Sequence, residues 1–436
     1  MKKLIWGTWL IVTTCLASYY GYTLFKADNK EALLIGDASH GHFQIEMACT
    51  VCHTSAFGGT ESLQESCVNC HAEELEEAHD SHPQKKFTDP RNASQLETID
   101  ARYCVSCHTE HQKEQTNPMG LTLPKDYCFH CHQDIGEERD SHKNLTFDSC
   151  ASAGCHNYHD NRALYEDFLL ENHQDSWVKQ VAKITEANAA STLAAQFIPT
   201  PLPPFAEKKE EHPDIHKDWS SSAHASGNVD CAGCHSTDQL QWIEKPGIEQ
   251  CQTCHMNEVE GYQAGKHGMR LALNMAGISP AESSLPFKEQ SLVLQQSCNS
   301  CHEPHTSNTQ FASKEACLGC HNDQHSLAFE ASPHGQLLNN AIAGRLPANE
   351  AVSCATCHMP RQEKNHHGTK VIEVNHNQNH NLRPNEKMIR PVCMQCHSLG
   401  FSIDALADEQ LINNNFTGKP SAHIPSIDWA IRRSEN

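Results

Sequence analysis

The sequence predicts a mainly α-helical chain with much irregular structure, organised around inserted groups rather than around a side-chain core. Three observations carry that prediction. The pattern Cys-x-x-Cys-His occurs ten times, and an eleventh, stretched copy reads CASAGCH (150–156). Only 38% of residues are hydrophobic and the mean hydropathy is −0.60, low for a globular chain of 436 residues. The intervals between motifs leave room only for short helices and turns, and little in them alternates as a strand does.

The regular copies are CTVCH (Cys49, Cys52, His53), CVNCH (Cys67, Cys70, His71), CVSCH (Cys104, Cys107, His108), CFHCH (Cys128, Cys131, His132) and CAGCH (Cys231, Cys234, His235). Then follow CQTCH (Cys251, Cys254, His255), CNSCH (Cys298, Cys301, His302), CLGCH (Cys317, Cys320, His321), CATCH (Cys354, Cys357, His358) and CMQCH (Cys393, Cys396, His397). The stretched copy supplies Cys150, Cys155 and His156, so the motifs use 22 of the 23 cysteines and leave Cys15. Two thiols three residues apart can add to the two vinyl groups on one edge of a haem, and the adjacent His then lies under the iron as its proximal ligand. Zinc or disulfides are the alternative, but zinc needs no His fused to the second Cys of every pair. Chance placement at this composition would give about 0.1 copies. The motifs therefore predict eleven covalently attached haem c groups, with the porphyrins supplying much of the buried apolar surface. Without them the chain is expected not to fold.

The formal charge is −21 before cofactors, and haem propionates make it more negative. Such a surface argues against nucleic acid and anionic lipid as partners. It leaves basic redox proteins, or small anions admitted through a local positive pocket.

Covalent haem attachment takes place outside the bacterial cytoplasm, which predicts a periplasmic protein. Residues 1–28 read as a membrane anchor or signal segment. Lys2 and Lys3 precede a run from Leu4 to Phe25 with no charged residue, enough for a transmembrane helix. Trp6, Trp9, Tyr19, Tyr20 and Tyr22 stand near its ends, where amphipathic aromatics favour the membrane interface. The reading favoured is a helix tethering the chain to the inner membrane, with a membrane quinol among the electron donors. Cleavage near Ala17 is a second reading. Lipidation of Cys15 is a third, although Thr13-Thr14 is a poor approach to a lipidated cysteine.

Residues 29–160 form a five-haem block, in which ESLQESCVNCHAEELEEAH (61–79) reads as a helix with its motif embedded. Residues 161–211 form a helix and proline-rich linker. Leu164, Phe168, Leu169, Trp177, Val181 and Ile184 recur at helical spacing over 161–197, and IPTPLPPFAEKKEE (198–211) follows. Residues 212–436 carry the remaining six motifs at wider spacing, with long loops over 256–297 and 359–392 and a helix expected near 403–413.

The chain has 32 His, of which eleven are proximal, leaving 21 for the distal faces. His111, His159 and His305 lie three residues beyond a proximal His, and His325 lies four beyond. From there a His is better placed to reach a neighbouring haem than its own. His224, His267 and His334 stand in SAH, GKH and SPH. His40, His42, His79, His82, His142, His376, His380 and His423 are further distal candidates. Two imidazoles saturate the iron, which can then change oxidation state with little movement and offers no position to substrate. For any single residue a solvated role stays open.

With its stretched CASAGCH and its CHxxH pairs, the N-terminal block resembles class III, low-potential multihaem cytochromes. The anchor ahead of it is similar to that of membrane-tethered, quinol-oxidising multihaem cytochromes. The C-terminal block, through CLGCHNDQHSLAFEASPHG (317–335), SCATCHMP (353–360) and HNQNHNLRP (376–384), resembles the octahaem hydroxylamine oxidoreductase and ammonia-forming nitrite reductase superfamily. That resemblance implies one high-spin haem, on Cys251, Cys254 and His255, with Asp323 and His325 as catalytic residues beside it and Arg270 facing an anion. The chain departs from the pattern. All eleven motifs end in His where such nitrite reductases carry Lys, and no Tyr follows Tyr262 to form the oxidative enzymes' cross-link.

Taken together, the residues predict a multihaem cytochrome with a haem-packed core and two haem domains after an N-terminal transmembrane helix. An electron carrier in periplasmic respiration is favoured. A reductase of nitrite, hydroxylamine or another small oxyanion is the alternative.

Overall fold

The N-terminal segment forms one helix of 24 residues, α1 (Lys2–Phe25). Its position as an inner-membrane tether, and the tethered periplasmic location inferred from it, are corrected by the structure. Among the described residues, no helix is long and apolar enough to cross a membrane. In α1 composition is what falls short, because Gly7, Thr8, Thr13, Thr14, Ser18, Tyr19, Tyr20, Gly21, Tyr22 and Thr23 dilute the apolar run. Thr8 and Thr23 turn their hydroxyls back onto the carbonyls of Leu4 and Tyr19, a local satisfaction of polar groups that does not make them apolar.

The computed structural model describes residues 2–26, 30–55, 58–78, 80, 82–112, 120–144, 146–147, 150, 158–159, 205–237, 241–283, 285–366, 369–382 and 385–435. Cys155, His156, His79, the helix expected over 161–197 and the first half of the proline-rich stretch, 198–204, lie outside them. The chain divides into two compact units, Met1–Ala151 with Asn157–Asn161, and Ser152–His156 with Arg162–Asn436.

In the first unit α2 (Thr60–Ala78) contains the CVNCH motif within its helical run. Glu, Gln, Leu and Ala dominate it, and Glu61 sits in its first turn where the helix dipole favours an acid. The remaining helical pieces of this unit are single turns wound on or between motifs.

In the second unit α3 (Pro213–Ser220) starts on a proline, whose missing N–H costs nothing at that position. The helix α4 (Met256–Ala264) follows directly on His255. Gly261 and Gly265 keep one side of it bare. A Cβ on Gly265 would meet the Gln378 side-chain oxygen and the His376 carbonyl, so the segment carrying His376 lies against this face. The helix α5 (Pro333–Ile342) is capped by Ser332, whose buried Oγ accepts from Gly335 N at 3.1 Å and donates to the Phe329 carbonyl at 2.7 Å. Replacing Ser332 by Ala is expected to cost about 1–2 kcal/mol of stability. Denaturant unfolding of the haem-loaded protein measures it, and an unchanged midpoint would remove the cap from the account.

The loop expected over 359–392 contains a hairpin. Strands β1 (Arg361–His366) and β2 (Thr369–Val374) pair antiparallel, from Arg361 opposite Val374 to His366 opposite Thr369. Its charged residues dilute the alternation by which a strand is recognised. The single helix expected near 403–413 is two, α6 (Leu399–Ala407) and α7 (Glu409–Asn413), and α8 (Ser426–Ser434) ends the chain. Asp408 breaks the run because its carboxylate accepts from Leu411 N at 2.9 Å and from Ser421 N and Oγ at 2.7 Å. Those hydrogen bonds hold its carboxyl down to about 2.

Side chains build one small apolar cluster here, Ile389, Leu399, Ile403 and Ile427, with Met394, Leu406, Ile424 and Ile431 packed against it. Elsewhere buried apolar side chains are scattered, such as Leu121 and Tyr127 in the first unit and Val259, Tyr262, Ile278, Phe329 and Leu338 in the second.

Candidate haem centres

Each of the ten regular motifs is wound as a helical turn, the one at Cys67 inside the longer α2. The amide of the motif His donates to the carbonyl of the first Cys in seven copies, for example His53 to Cys49 and His397 to Cys393, both at 2.8 Å. That turn puts the two cysteines, three apart, on one side, with the His at its end. Asp230 caps the turn at Cys231, and Ser353 caps the one at Cys354. Among the described residues no cysteine is in a disulfide, and no three His, Cys, Asp or Glu converge to hold a metal ion by themselves.

Every described motif His faces a second His across a narrow gap. In the first unit the ring centroids are 6.4 Å apart for His53 and His111, 6.0 Å for His71 and His42, 6.3 Å for His108 and His159, and 6.1 Å for His132 and His82. In the second they are 6.0 Å for His235 and His305, 6.1 Å for His255 and His224, and 6.1 Å for His302 and His376. The last three pairs are His321 with His267 at 6.3 Å, and His358 with His325 and His397 with His334, both at 6.1 Å. Iron–imidazole bonds of about 2 Å on both sides of a haem put two centroids about 6 Å apart, so the residues fit the group.

In ten of these rings Nδ1 has an acceptor, which orients a ligand imidazole. Nδ1 of His82, His108, His111, His224, His235, His325 and His376 meets a backbone carbonyl at 2.5–3.2 Å. Nδ1 of His42 meets Glu110 and that of His71 meets Glu74, both at 2.7 Å, while His159 meets Asp80 at 3.0 Å. These contacts leave Nε2 to face the opposite ring, and in His325 Asn415 Nδ2 also lies 3.3 Å from it. Burial holds His267, His334 and His358 down to about 4, which keeps each a neutral donor. Burial raises Glu110, but hydrogen bonds from His42 and Ser39 outweigh it and bring its carboxyl to about 2. Aromatic rings back three of the imidazoles: Trp242 on His235 at 4.5 Å, Phe401 on His397 at 4.8 Å and Tyr158 on His82 at 4.3 Å.

The two sets of pairs follow one order along the chain. His42 and His224 each stand seven residues ahead of a motif, and each faces the proximal His of the next one. His111 and His305, three beyond a proximal His, face back by two motifs. His82 and His267 stand in the interval after the second motif of their set and face the fourth. His159 and His376 follow the fifth and face the third. His325 stands between the fourth and fifth motifs of the second set, and His142 stands in that interval of the first. First-position cysteines contact each other in matching places, Cys67 with Cys104 and Cys251 with Cys298, then Cys128 with Cys150 and Cys317 with Cys354.

Asp323 and His325 are not gathered at His255. Asp323 caps the turn at Gln324, accepts from Ser326 N at 3.0 Å and lies 3.6 Å from His321 Nδ1, the contact that pushes its carboxyl well below the usual range. His325 faces His358, with Asn415 on its carbonyl at 3.0 Å and 3.3 Å from its Nε2. Arg270 donates to the Ala276 carbonyl and pairs with Glu282 at 3.2 Å. Of the other candidates, His40 is exposed at a turn and His142 ends the short turn Asp140–His142. His380 Nδ1 meets Asn375 at 3.1 Å. His423 sits exposed between Asp428 and Asp404, which raise it above its usual range. Sequence reasoning missed the carboxylates behind the imidazoles. Glu110 carried a signal, standing between His108 and His111 in CHTEH.

The family model for cytochrome c3, the class III multihaem group, matches residues 41–133. With the motif cysteines, that match supports a multihaem c-type cytochrome with covalently bound haem, working in electron transfer. No match supports the resemblance drawn for the C-terminal block to the hydroxylamine oxidoreductase superfamily. No curated protein matches the chain, and no solved structure does.

Proposed function

We propose that this chain is an eleven-haem cytochrome that conducts electrons in respiration, with bis-histidine iron at the ten described centres. The observation that carries this reading is the second His opposite every described motif His, at 6.0–6.4 Å between centroids. Haem supplies a one-electron iron centre when bound. The chain's own residues do the rest. Paired cysteines tether each group, two imidazoles fill both axial positions, and acceptors at Nδ1 fix ring orientation and donor strength. His42, His82, His111, His159, His224, His267, His305, His325, His334 and His376 are the distal ligands in this reading. Saturated iron has little to reorganise and no place for nitrite or hydroxylamine. With a charge of −21, the redox partners are proteins that present basic faces.

Electron paramagnetic resonance on the fully oxidised protein, quantified against haem counted by mass, tests this. Eleven haems by mass and low-spin signals unmoved by nitrite or hydroxylamine are expected. A high-spin haem at about one part in eleven that shifts with those anions would overturn the reading in favour of a reductase.

A further inference from the structure

The shared ligand order makes the two sets of centres each other's reference, and they differ at one matched place. In each set the distal His ahead of the first motif directs Nδ1 at the residue just before the CHxxH histidine. In the second set the acceptor is a backbone carbonyl, since His224 meets Pro304 O at 3.1 Å. In the first it is a carboxylate, since His42 meets Glu110 Oε1 at 2.7 Å. The proximal side differs in the same sense. His71 meets Glu74, three residues on, at 2.7 Å, whereas His255 lies 3.8 Å from Glu258, also three residues on.

Both axial rings of the Cys67–Cys70 centre thus donate to carboxylates. A carboxylate acceptor makes an imidazole a stronger donor, which favours ferric over ferrous iron. From this geometry we infer that Glu110, acting through His42, sets the haem on Cys67 and Cys70 at a lower potential than its counterpart on Cys251 and Cys254. Glu110 is a positioning residue as well, because Ser39 donates to it from N at 2.7 Å and from Oγ at 2.8 Å. The carboxylate therefore joins His42 to the chain ahead of it and supplies the charge. This inference rests on the bis-histidine reading and deepens it.

The test is a potentiometric titration of the haem-loaded protein followed by electron paramagnetic resonance. Glu110→Gln keeps an oxygen for His42 and removes the charge. It is expected to raise the potential of one low-potential component, one haem in eleven, by about 59 mV, which is a tenfold fall in its ferric-to-ferrous ratio at a fixed potential. Glu74→Gln should move the same component, and Glu258→Gln should move its own component less. Glu110→Asp, which restores the charge, should return the component toward its original place. An unmoved low-potential component in both the Glu110 and Glu74 variants overturns the inference, as does an equal rise of every component. The haem count and the low-spin signals of the same samples report separately on the bis-histidine reading.

Discussion

Chain produced without haem attachment is expected to remain unfolded beyond α1, with no cooperative thermal or denaturant transition. The reason is the smallness of the side-chain core. Four buried aliphatics and the four partly buried ones around them form the apolar cluster. Burying such a side chain contributes about 1.5–3 kcal/mol. Ordering the backbone costs about 1–2 kcal/mol for every residue fixed. The cluster holds α6, α8 and their neighbours, and offers nothing to the first unit, where Ala38, Leu121 and Tyr127 are the buried apolar side chains of the described residues after α1. Without iron between them, the paired imidazoles have no attraction that would close a gap of six ångströms. Circular dichroism and limited proteolysis of chain made without covalent haem check this. A cooperative transition in that chain would mean that side chains alone specify the fold.

The motifs were legible because attachment chemistry is local, with two thiols and a His inside one helical turn. The surplus of histidines was legible as a surplus. The pairing was not, because each distal ring is brought to its partner by tertiary approach. His111 and His53 are 58 residues apart, and His224 and His255 are 31 apart with a complete motif between them. Histidine identity carries no address. The bare face of α4 at Gly261 and Gly265, which receives the His376 segment, could be read only once its neighbour was in place. The membrane helix was misread for a different reason. Absence of charge does not make a run apolar, and the hydroxyls and glycines of α1 decide against it. Asp323 and His325 were read as a catalytic pair from a motif resemblance. In the fold they stand at His321 and His358, where a cap and a ring opposite an imidazole account for their positions. The order shared by the two sets was present in the sequence spacing, notably the seven residues between His42 and Cys49 and between His224 and Cys231.

Replacing His224 by Ala is expected to convert one haem in eleven from low to high spin and to give the protein a carbon monoxide response that it otherwise lacks. His224 is the ring opposite His255, and Cys251 and Cys254 adjoin His255 in sequence, away from His224. Removing it leaves attachment untouched, so the haem count by mass should stay at eleven. The turn that carries it, Ala223–Ser226, keeps its cap, because Ser222 Oγ accepts from Ala225 N at 3.1 Å. Alanine is also the best residue for that turn. The lost hydrogen bond to the Pro304 carbonyl costs about 1 kcal/mol, too little to unfold the unit. The effect on the iron is much larger than the effect on the fold, because one of two axial bonds disappears and a position opens to ligands. Spin quantification by electron paramagnetic resonance and the carbon monoxide difference spectrum of reduced protein both report it. An unchanged spectrum would mean that His224 does not complete the Cys251–Cys254 centre. It would return that haem to the open, substrate-binding role that the sequence resemblance implied for it.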